Sequence, residues 1–404
     1  MLSLKKKIDK GIVKAELPSS KSLSNRALII QAIGSGIEIN NLSSSDDTQV
    51  LRDSLSKFKS SENLNIEHAG TSMRFLTTFL AFQNTGKWTL DGSDRMRQRP
   101  IFPLVDALQK LGCDVSYKLQ EGYPPLDICS TKVSKNEIEI RGDISSQFIS
   151  SLMLSAPLLE NGLKINLSTK LTSVPYVNMT SSLMSQFGVE CDIQEHQIIV
   201  DSMKYQPSIY TVESDWSAAS YWYSLVALSH DLVVELENLS LNSLQGDSRL
   251  ADIYSKLGVI TEEKDDKILL RRQEVVRDVV RFELADCPDI AQTILVTCAG
   301  LGISCHLSGL HTLAIKETDR LQAMKNELAK FNVVLDITEE TAYLDGNQGL
   351  QEPSLALDTY HDHRMAMCFA PLALKVDFSI NNPEVVSKSY PNFWEDFSKI
   401  LTIE

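Results

Sequence analysis

No run of apolar residues in this chain approaches the ~20 that a bilayer span needs, which excludes a helical membrane segment. No two cysteines form a C-x-x-C pair. The seven present, at 113, 129, 191, 287, 298, 305 and 368, are odd in number. Neither a zinc site nor a disulfide framework is indicated, and no metal is expected. The cysteine usage reads as a reduced, cytoplasmic protein. The opening MLSLKKKIDKG has lysines but no apolar stretch behind them, so it is not read as a signal peptide. An excess of positive charge is also missing: 39 Lys and Arg stand against 53 Asp and Glu, a net −14. That argues against nucleic acid or an anionic membrane as partner, because phosphate backbones need a basic face. It leaves small anions open, since local clusters can be positive inside an acidic protein.

What is present is globular: 404 residues, 43% apolar and 23% charged, enough for two domains. One stretch, PSSKSLSNRALII at 18–30, combines a proline, a serine-rich cap and an apolar run, so it predicts a helix start. Lys21 and Arg26 sit in its first turns. A helix N-terminus already carries about half a positive charge, so cations there are misplaced unless an anion arrives.

The same pattern recurs. A polar loop opens a helix rich in Ala, Leu, Met and Ser, and a short strand follows. Taking Ser22, Ser72, Ser146, Ser217, Asp289 and His363 as equivalent markers, the intervals are 50, 74, 71, 72 and 74 residues. Second helices, such as RPIFPLVDALQKLG and KETDRLQAMKNELAKF, lie between them with apolar residues at i, i+3 or i+4. Each unit reads as strand, helix, strand, helix and further strands. The first interval is about 20 residues short, which predicts a missing hairpin in the first unit. No heptad or separate interface segment appears, so a monomer is expected.

The helix starts carry unusual residues: Lys21, Ser22 and Arg26; Gly70, Thr71 and Arg74; Ser145, Ser146 and Gln147; Asp289; His363 and Arg364. Lys316 and Arg320 have the i, i+4 spacing of one helix face, with Glu317 beside them. Free N–H groups and the dipole make helix N-termini anion sites, and Arg and Lys there suit phosphate or carboxylate. A single such Arg is usually a solvated charge and a single such Ser an N-cap. Their recurrence at corresponding places points to phosphate and carboxylate as the anions, carried on two ligands.

These residues resemble a family. PSSKSLSNRAL, HAGTSMR, RMRQRPIFPLVDAL, ISSQFISSLMLSAPL, SVPYV, VESDWSAASY, QGD, CPDIAQT, IKETDRLQAM, HDHRMAMCFAPLAL and KSYPNFW resemble the motifs of 5-enolpyruvylshikimate-3-phosphate synthases, in order and over nearly the whole chain. The resemblance implies an α/β (α+β) fold of two similar domains, each of three βαβαββ-type units, an inside-out α/β barrel. The domains would be 18–212, and 1–17 with 213–404, with crossings near Pro18 and Val212–Ser214 and the active site in the interdomain cleft. The implied reaction joins phosphoenolpyruvate to the 5-hydroxyl of shikimate 3-phosphate by addition–elimination, on the route to chorismate and the aromatic amino acids. It needs no cofactor.

By motif position, the resemblance implies Lys21, Ser22, Arg26, Ser145, Ser146, Gln147, Ser173, Tyr176, Asp289, Thr312 and Lys316 for shikimate 3-phosphate. It implies Lys21, Gly70, Arg99, Gln147, Arg320, Arg364 and Lys388 for phosphoenolpyruvate. Asp289 would face the 5-hydroxyl as base, Glu317 and Lys21 would be candidates for proton delivery, and Lys21, Asp289, Glu317, His363 and Lys388 form the catalytic set. Gly70 leaves the space on which glyphosate inhibition depends in the family, so sensitivity is expected. Ser19, His68, Phe75 and Phe102 depart from the usual residues. A sister enolpyruvyl transferase acting on UDP-N-acetylglucosamine has Asn after the first Lys and a reactive loop Cys. Here Ser22 follows Lys21, DGSDRMRQRP has no cysteine, and Cys113 reads as packing. A non-catalytic descendant that binds ligands is the rival from another class. The retention of Lys21, Asp289, Glu317, Arg364 and Lys388 argues against it.

Overall fold

The computed structural model describes residues 1–143, 145–171, 174–265, 267–275, 279–346 and 349–404. Contacts divide the chain into two compact units, Ser19–Glu213 and Met1–Pro18 with Ser214–Glu404. Among the described residues no helix is long and apolar enough to cross a membrane.

The unit Ser19–Glu213 holds helices α1 (Lys21–Ile33), α2 (Asp46–Lys57), α3 (Gly70–Ala81), α4 (Phe102–Leu111), α5 (Ser146–Ser155) and α6 (Val174–Gln186). Three of them, α1, α3 and α5, pack on one another and are buried on nearly every face. A helix that is apolar nearly all round belongs in a core, and these are mostly apolar or small-hydroxyl, with Lys21, Asn25, Arg26, Gln31, Arg74 and Gln147 the exceptions. Phe75, Leu76 and Leu80 of α3 are fully buried, each stabilising by about 1.5–3 kcal/mol. Three sheets surround this core. Two are four-stranded: 63–65, 87–91, 126–129 and 114–117; and 191–193, 197–200, 163–167 and 137–140. The third has two parallel strands, 37–40 and 208–211. The hairpins 114–117/126–129 and 191–193/197–200 follow α4 and α6, but the chain leaves α2 and enters strand 63–65 without one. The short first interval therefore does lack its hairpin.

The other unit repeats the plan with α7 (Trp216–Leu228), α8 (Leu250–Ser255), α9 (Ala291–Leu301), α10 (Arg320–Lys330), α11 (His363–Phe369) and α12 (Phe393–Phe397). The chain's beginning completes it. Strand 10–15 pairs in parallel with 231–237, and strand 2–6 lies between 378–380 and 401–403. A four-stranded sheet of 279–283, 304–308, 342–344 and 335–337 closes the set.

The sequence repeat is visible as hydrogen bonds between core helices. Thr78 meets Ser151 at 2.8 Å, Ser220 meets Thr293 at 3.1 Å, and the Thr297 hydroxyl donates to Ser224 at 2.8 Å. Each pair is 73 residues apart, one repeat. Small hydroxyl residues let buried helices approach closely while satisfying their own polar atoms.

The helix starts follow capping chemistry. Ser20 accepts from the Leu23 amide at 3.5 Å, Asp215 from Ala218 at 2.9 Å, and Asp362 from Arg364 at 2.9 Å. One expectation fails. Lys316 and Arg320 do not share a helical face, because α10 begins at Arg320, after Asp319 caps the Gln322 amide at 3.1 Å. Lys316 instead ends the short turn Leu313–Ile315. The i, i+4 spacing is there, but the cap intervenes.

Candidate active site

The unit completed by the chain's beginning carries a cluster of acids and bases centred on Asp289. The turn Pro288–Ile290 before α9 presents this residue. Its Oδ1 is 3.0 Å from Arg320 Nη1 and 3.5 Å from Lys316 Nζ, and its Oδ2 is 3.2 Å from Arg364 Nη2. Arg364 Nη1 also donates to the Asp289 carbonyl at 3.1 Å. Burial alone would raise the Asp289 carboxyl, but Arg364, Lys316 and Arg320 together hold it well below the usual carboxylate range. It is ionised, and three cations aim at one point.

Arg320, 1% exposed, is the hub. Its Nε donates to Asp362 Oδ2 at 2.8 Å, its Nη1 to Asp289, and its Nη2 to Glu317 Oε2 at 2.8 Å. Burial opposes its charge, but Asp362, Glu317 and Asp289 more than restore it. Glu317 turns its other oxygen to Lys388 Nζ at 3.0 Å. Glu317 is thus a carboxylate held between an arginine and a lysine. His363 is buried, with Nδ1 3.6 Å from Asp362 Oδ1. Among the described residues the buried Thr312 hydroxyl oxygen has no hydrogen-bond partner.

The loop carrying Asp362 is held against α10. Tyr360 and His361 both take left-handed φ, +53° and +55°. Two such non-glycine residues in succession cost about 1–3 kcal/mol each. Glu327, buried on α10, offsets this by accepting from the Asp358 amide at 3.0 Å and the Tyr360 hydroxyl at 2.8 Å. Asp362 then reaches Arg320 and caps α11, which fixes Arg364.

The unit Ser19–Glu213 carries a second cluster at the starts of α1, α3 and α5. Lys21 Nζ is 3.3 Å from the buried Asp47 Oδ2. Arg26 is buried, and its Nε donates to Thr180 Oγ1 at 2.7 Å and its Nη1 to the Ser22 carbonyl at 2.9 Å. Longer contacts of 3.4 Å reach Ser150 Oγ and the Tyr176 carbonyl. These partners are neutral, and burial lowers the guanidinium to about 10, still charged at neutral pH. Phe75 lies 5.7 Å below it. The departure at Phe75 thus supplies a cation–π floor to Arg26. Among the described residues the hydrogen-bond partners of this buried cation are all neutral, so its charge has no carboxylate to compensate it.

At α3, Arg74 Nη1 donates to the Gly70 carbonyl at 2.7 Å. A Cβ on Gly70 would strike the Arg99 guanidinium and come 2.9 Å from Arg74 Nη1. Glycine here makes room for two arginines. Gln147, at the start of α5, donates to Thr71 Oγ1 at 3.3 Å, and Ser145 caps the helix whose first residue is Ser146. Of the other departures, His68 bonds Ser93 at 2.6 Å and Ser19 keeps an ordinary negative φ, so no glycine is needed. Cys113 is buried, its thiol pushed up to about 12 by burial, as packing requires. Ser173 lies outside the described residues.

The sequence reading did not single out Asp47, Asp362, Asp247 or Glu327 as members of these clusters. Asp362 alone carried a local signal, its place as N-cap before HRMAM. Asp47 and Asp247 pair with residues distant in sequence, and Glu327 joins a distant loop besides its neighbour Lys330.

The EPSP synthase (3-phosphoshikimate 1-carboxyvinyltransferase) family model matches residues 50–397. The 3-phosphoshikimate 1-carboxyvinyltransferase of Bacteroides fragilis (strain YCH46) is 44% identical over 388 residues, covering 95% of this chain and 94% of that one. Its namesake from Sulfurovum sp. (strain NBC37-1) is 36% identical over 413 residues, covering 95% of each. Among solved structures, EPSP synthase from Acinetobacter baumannii superposes with TM-score 0.81 at 20% identity, over 100% of this chain and 99% of that one. The enolpyruvyl transferase NikO from Streptomyces tendae gives 0.76 at 13% identity, over 100% and 98%. The structural likenesses show the shared fold, and the family match and the identities over nearly the full length show that this chain belongs to the EPSP synthase family.

Proposed function

We propose that the two clusters serve the two ligands of one reaction, the transfer of the enolpyruvyl group of phosphoenolpyruvate to the 5-hydroxyl of shikimate 3-phosphate. The family match carries the reaction. The observation that carries the chemistry is Asp289 among Lys316, Arg320 and Arg364, with the Glu317–Lys388 pair alongside.

The hydroxyl oxygen adds to C2 of phosphoenolpyruvate as C3 gains a proton, giving a tetrahedral ketal with a methyl group. The C2–O bond to phosphate then breaks, C3 loses a proton, and the double bond returns in the product. Asp289, held ionised, accepts the 5-hydroxyl and orients its oxygen. Its low basicity suits a hydrogen-bond acceptor that takes the proton only as the C–O bond forms. Glu317, shared by Arg320 and Lys388, is placed for proton traffic at C3, with Lys21 as the second candidate. Arg364, Arg320, Lys388, Arg99, Gln147 and Lys21 hold the phosphate and carboxylate of phosphoenolpyruvate, where charge develops as phosphate leaves. Gly70 keeps that space open. Arg26, Ser22, Ser145, Ser146, Ser173, Tyr176, Thr312 and Lys316 hold shikimate 3-phosphate, and His363 supports the acid cluster from within.

The test is phosphate release from purified protein given phosphoenolpyruvate with shikimate 3-phosphate, and in parallel with UDP-N-acetylglucosamine. Release with shikimate 3-phosphate alone supports the reading. Release only with the nucleotide sugar, or with neither acceptor, sinks it.

A further inference from the structure

Asp247 belongs to none of the residues assigned to either ligand. It sits in the turn Gly246–Arg249 and is 6% exposed. Among the described residues it makes no ion pair within salt-bridge distance. Its Oδ2 accepts from the Ser217 hydroxyl. That hydroxyl oxygen accepts in turn from Arg364 Nη2 at 3.3 Å. The same guanidinium lies 3.2 Å from Asp289. Two carboxylates thus share one arginine, Asp289 directly and the buried Asp247 through a hydroxyl.

The charges around it balance narrowly. Lys316, Arg320, Arg364 and Lys388 face Asp289, Glu317 and Asp362 in the ion pairs of this cluster. In these ion pairs among the described residues, four cations meet three anions, a surplus of one positive charge within the pairs. An ionised Asp247 cancels the surplus and a protonated one leaves it. The groups facing Asp247 are Asp289 and Asp215, which repel its charge, and Arg364, which favours it. Cys287 faces it with a thiol pushed up to about 12, chiefly by burial. Arg249 is turned to Asp286 and to the Cys287 sulfur, each 3.8 Å away. Burial first, then Asp289, push the Asp247 carboxyl up to about 6. Its titration therefore falls near working pH.

We propose that Asp247 is the charge-compensating group of the Arg364 cluster, taking up a proton when an anion docks on Arg364 and releasing it when the anion leaves. It is a positioning residue that acts through Ser217 and Arg364 without touching the ligand. The proposal rests on the reading that Arg364 holds phosphoenolpyruvate. An arriving anion adds negative charge beside a buried carboxylate and raises its proton affinity. Linkage makes the effect reciprocal, so the anion binds more tightly where Asp247 is neutral.

The experiment measures KM for phosphoenolpyruvate at saturating shikimate 3-phosphate, from about pH 5.5 to about pH 8.5, for the parent and Asp247→Asn. Phosphate groups of the ligands themselves titrate near pH ~6, so the ratio of parent to variant KM is read, in which that titration cancels. The ratio is expected near one at the acid end and about fivefold or more above neutrality, with a flatter kcat ratio. A purely structural role gives the opposite sign, a weaker-binding variant at every pH, and that result or a pH-independent ratio overturns the proposal. Calorimetric titration with inorganic phosphate in two buffers of different protonation heat supplies a readout free of turnover. The parent takes up more protons than Asp247→Asn or, should that variant fold poorly, Asp247→Ser. Equal uptake overturns the proposal. If the parent shows no turnover with shikimate 3-phosphate, the functional reading fails, and the phosphate titration still decides the role of Asp247.

Discussion

Replacing Asp362 with alanine tests the architecture of the acid–base cluster. The side chain is fully buried, pairs with Arg320 Nε at 2.8 Å, and caps α11 through the Arg364 amide. Removing one partner of a buried ion pair costs about 3–5 kcal/mol, because the other charge is left uncompensated. Arg320 keeps Asp289 and Glu317, so the lower end of that range applies, ~3 kcal/mol. Loss of the cap adds about 1 kcal/mol. The sum, ~4 kcal/mol, corresponds to a fall of roughly 8–16 °C in the melting temperature of a unit of this size. Asp362→Asn keeps an oxygen for the cap and lacks only the charge, so its fall is smaller. Differential scanning calorimetry reads both, and the transition of the unit that contains Asp362 is the one that moves. A loss under about 1 kcal/mol for Asp362→Ala would refute the reasoning, since that is no more than an exposed surface pair is worth.

Three further outcomes follow from the same geometry. Asp247 has its carboxyl raised to about 6 in the folded protein from 3.8, so the fold binds more protons than the unfolded chain between those values. Stability contributed by this group is full below pH ~4 and falls as pH rises to ~6, so Asp247→Asn gains up to about 3 kcal/mol at pH ~8 and nothing at pH ~4 in urea unfolding. Gly70→Ala pushes its Cβ onto the Arg99 guanidinium, a flexible side chain, so melting moves little while KM for phosphoenolpyruvate rises about tenfold and glyphosate inhibition weakens; an unchanged KM would remove Gly70 from the site. Brief exposure to a thiol-alkylating reagent leaves turnover intact, because the Cys113 thiol is buried and raised to about 12; rapid inactivation would point to the cysteine-dependent sister chemistry.

Local chemistry was readable in the chain wherever one segment holds both the signal and its consequence. PSSKSLSN announced the start of α1 because cap, proline and apolar run are adjacent, and Ser20 does cap it. The repeat was readable because polar loops open apolar helices at recurring intervals along the chain, and hydroxyls one repeat apart meet in Thr78–Ser151 and Ser220–Thr293. The pairing of Lys316 with Arg320 on one face was misread, because spacing was weighed without Asp319, whose carboxylate caps α10 and starts the helix late. Asp47 with Lys21, and Asp247 with Ser217, were not legible, because the partners come from different segments and only the packed helices bring them together. The strained Tyr360–His361 step left no trace either. It is held by Glu327, a residue that α10's pattern presents as one more helical charge.

The most direct test of the account is the fate of solvent hydrogen at C3. The purified protein, given phosphoenolpyruvate and shikimate 3-phosphate in deuterium oxide, is followed by proton NMR for the vinyl hydrogens of the product. Addition–elimination makes C3 a methyl group and back again, so deuterium appears at the vinyl carbon of the enolpyruvyl ether, only when shikimate 3-phosphate is present. A product whose vinyl carbon carries no deuterium, or no product with this acceptor, would contradict the assignment of Asp289, Glu317 and Lys388 to that chemistry.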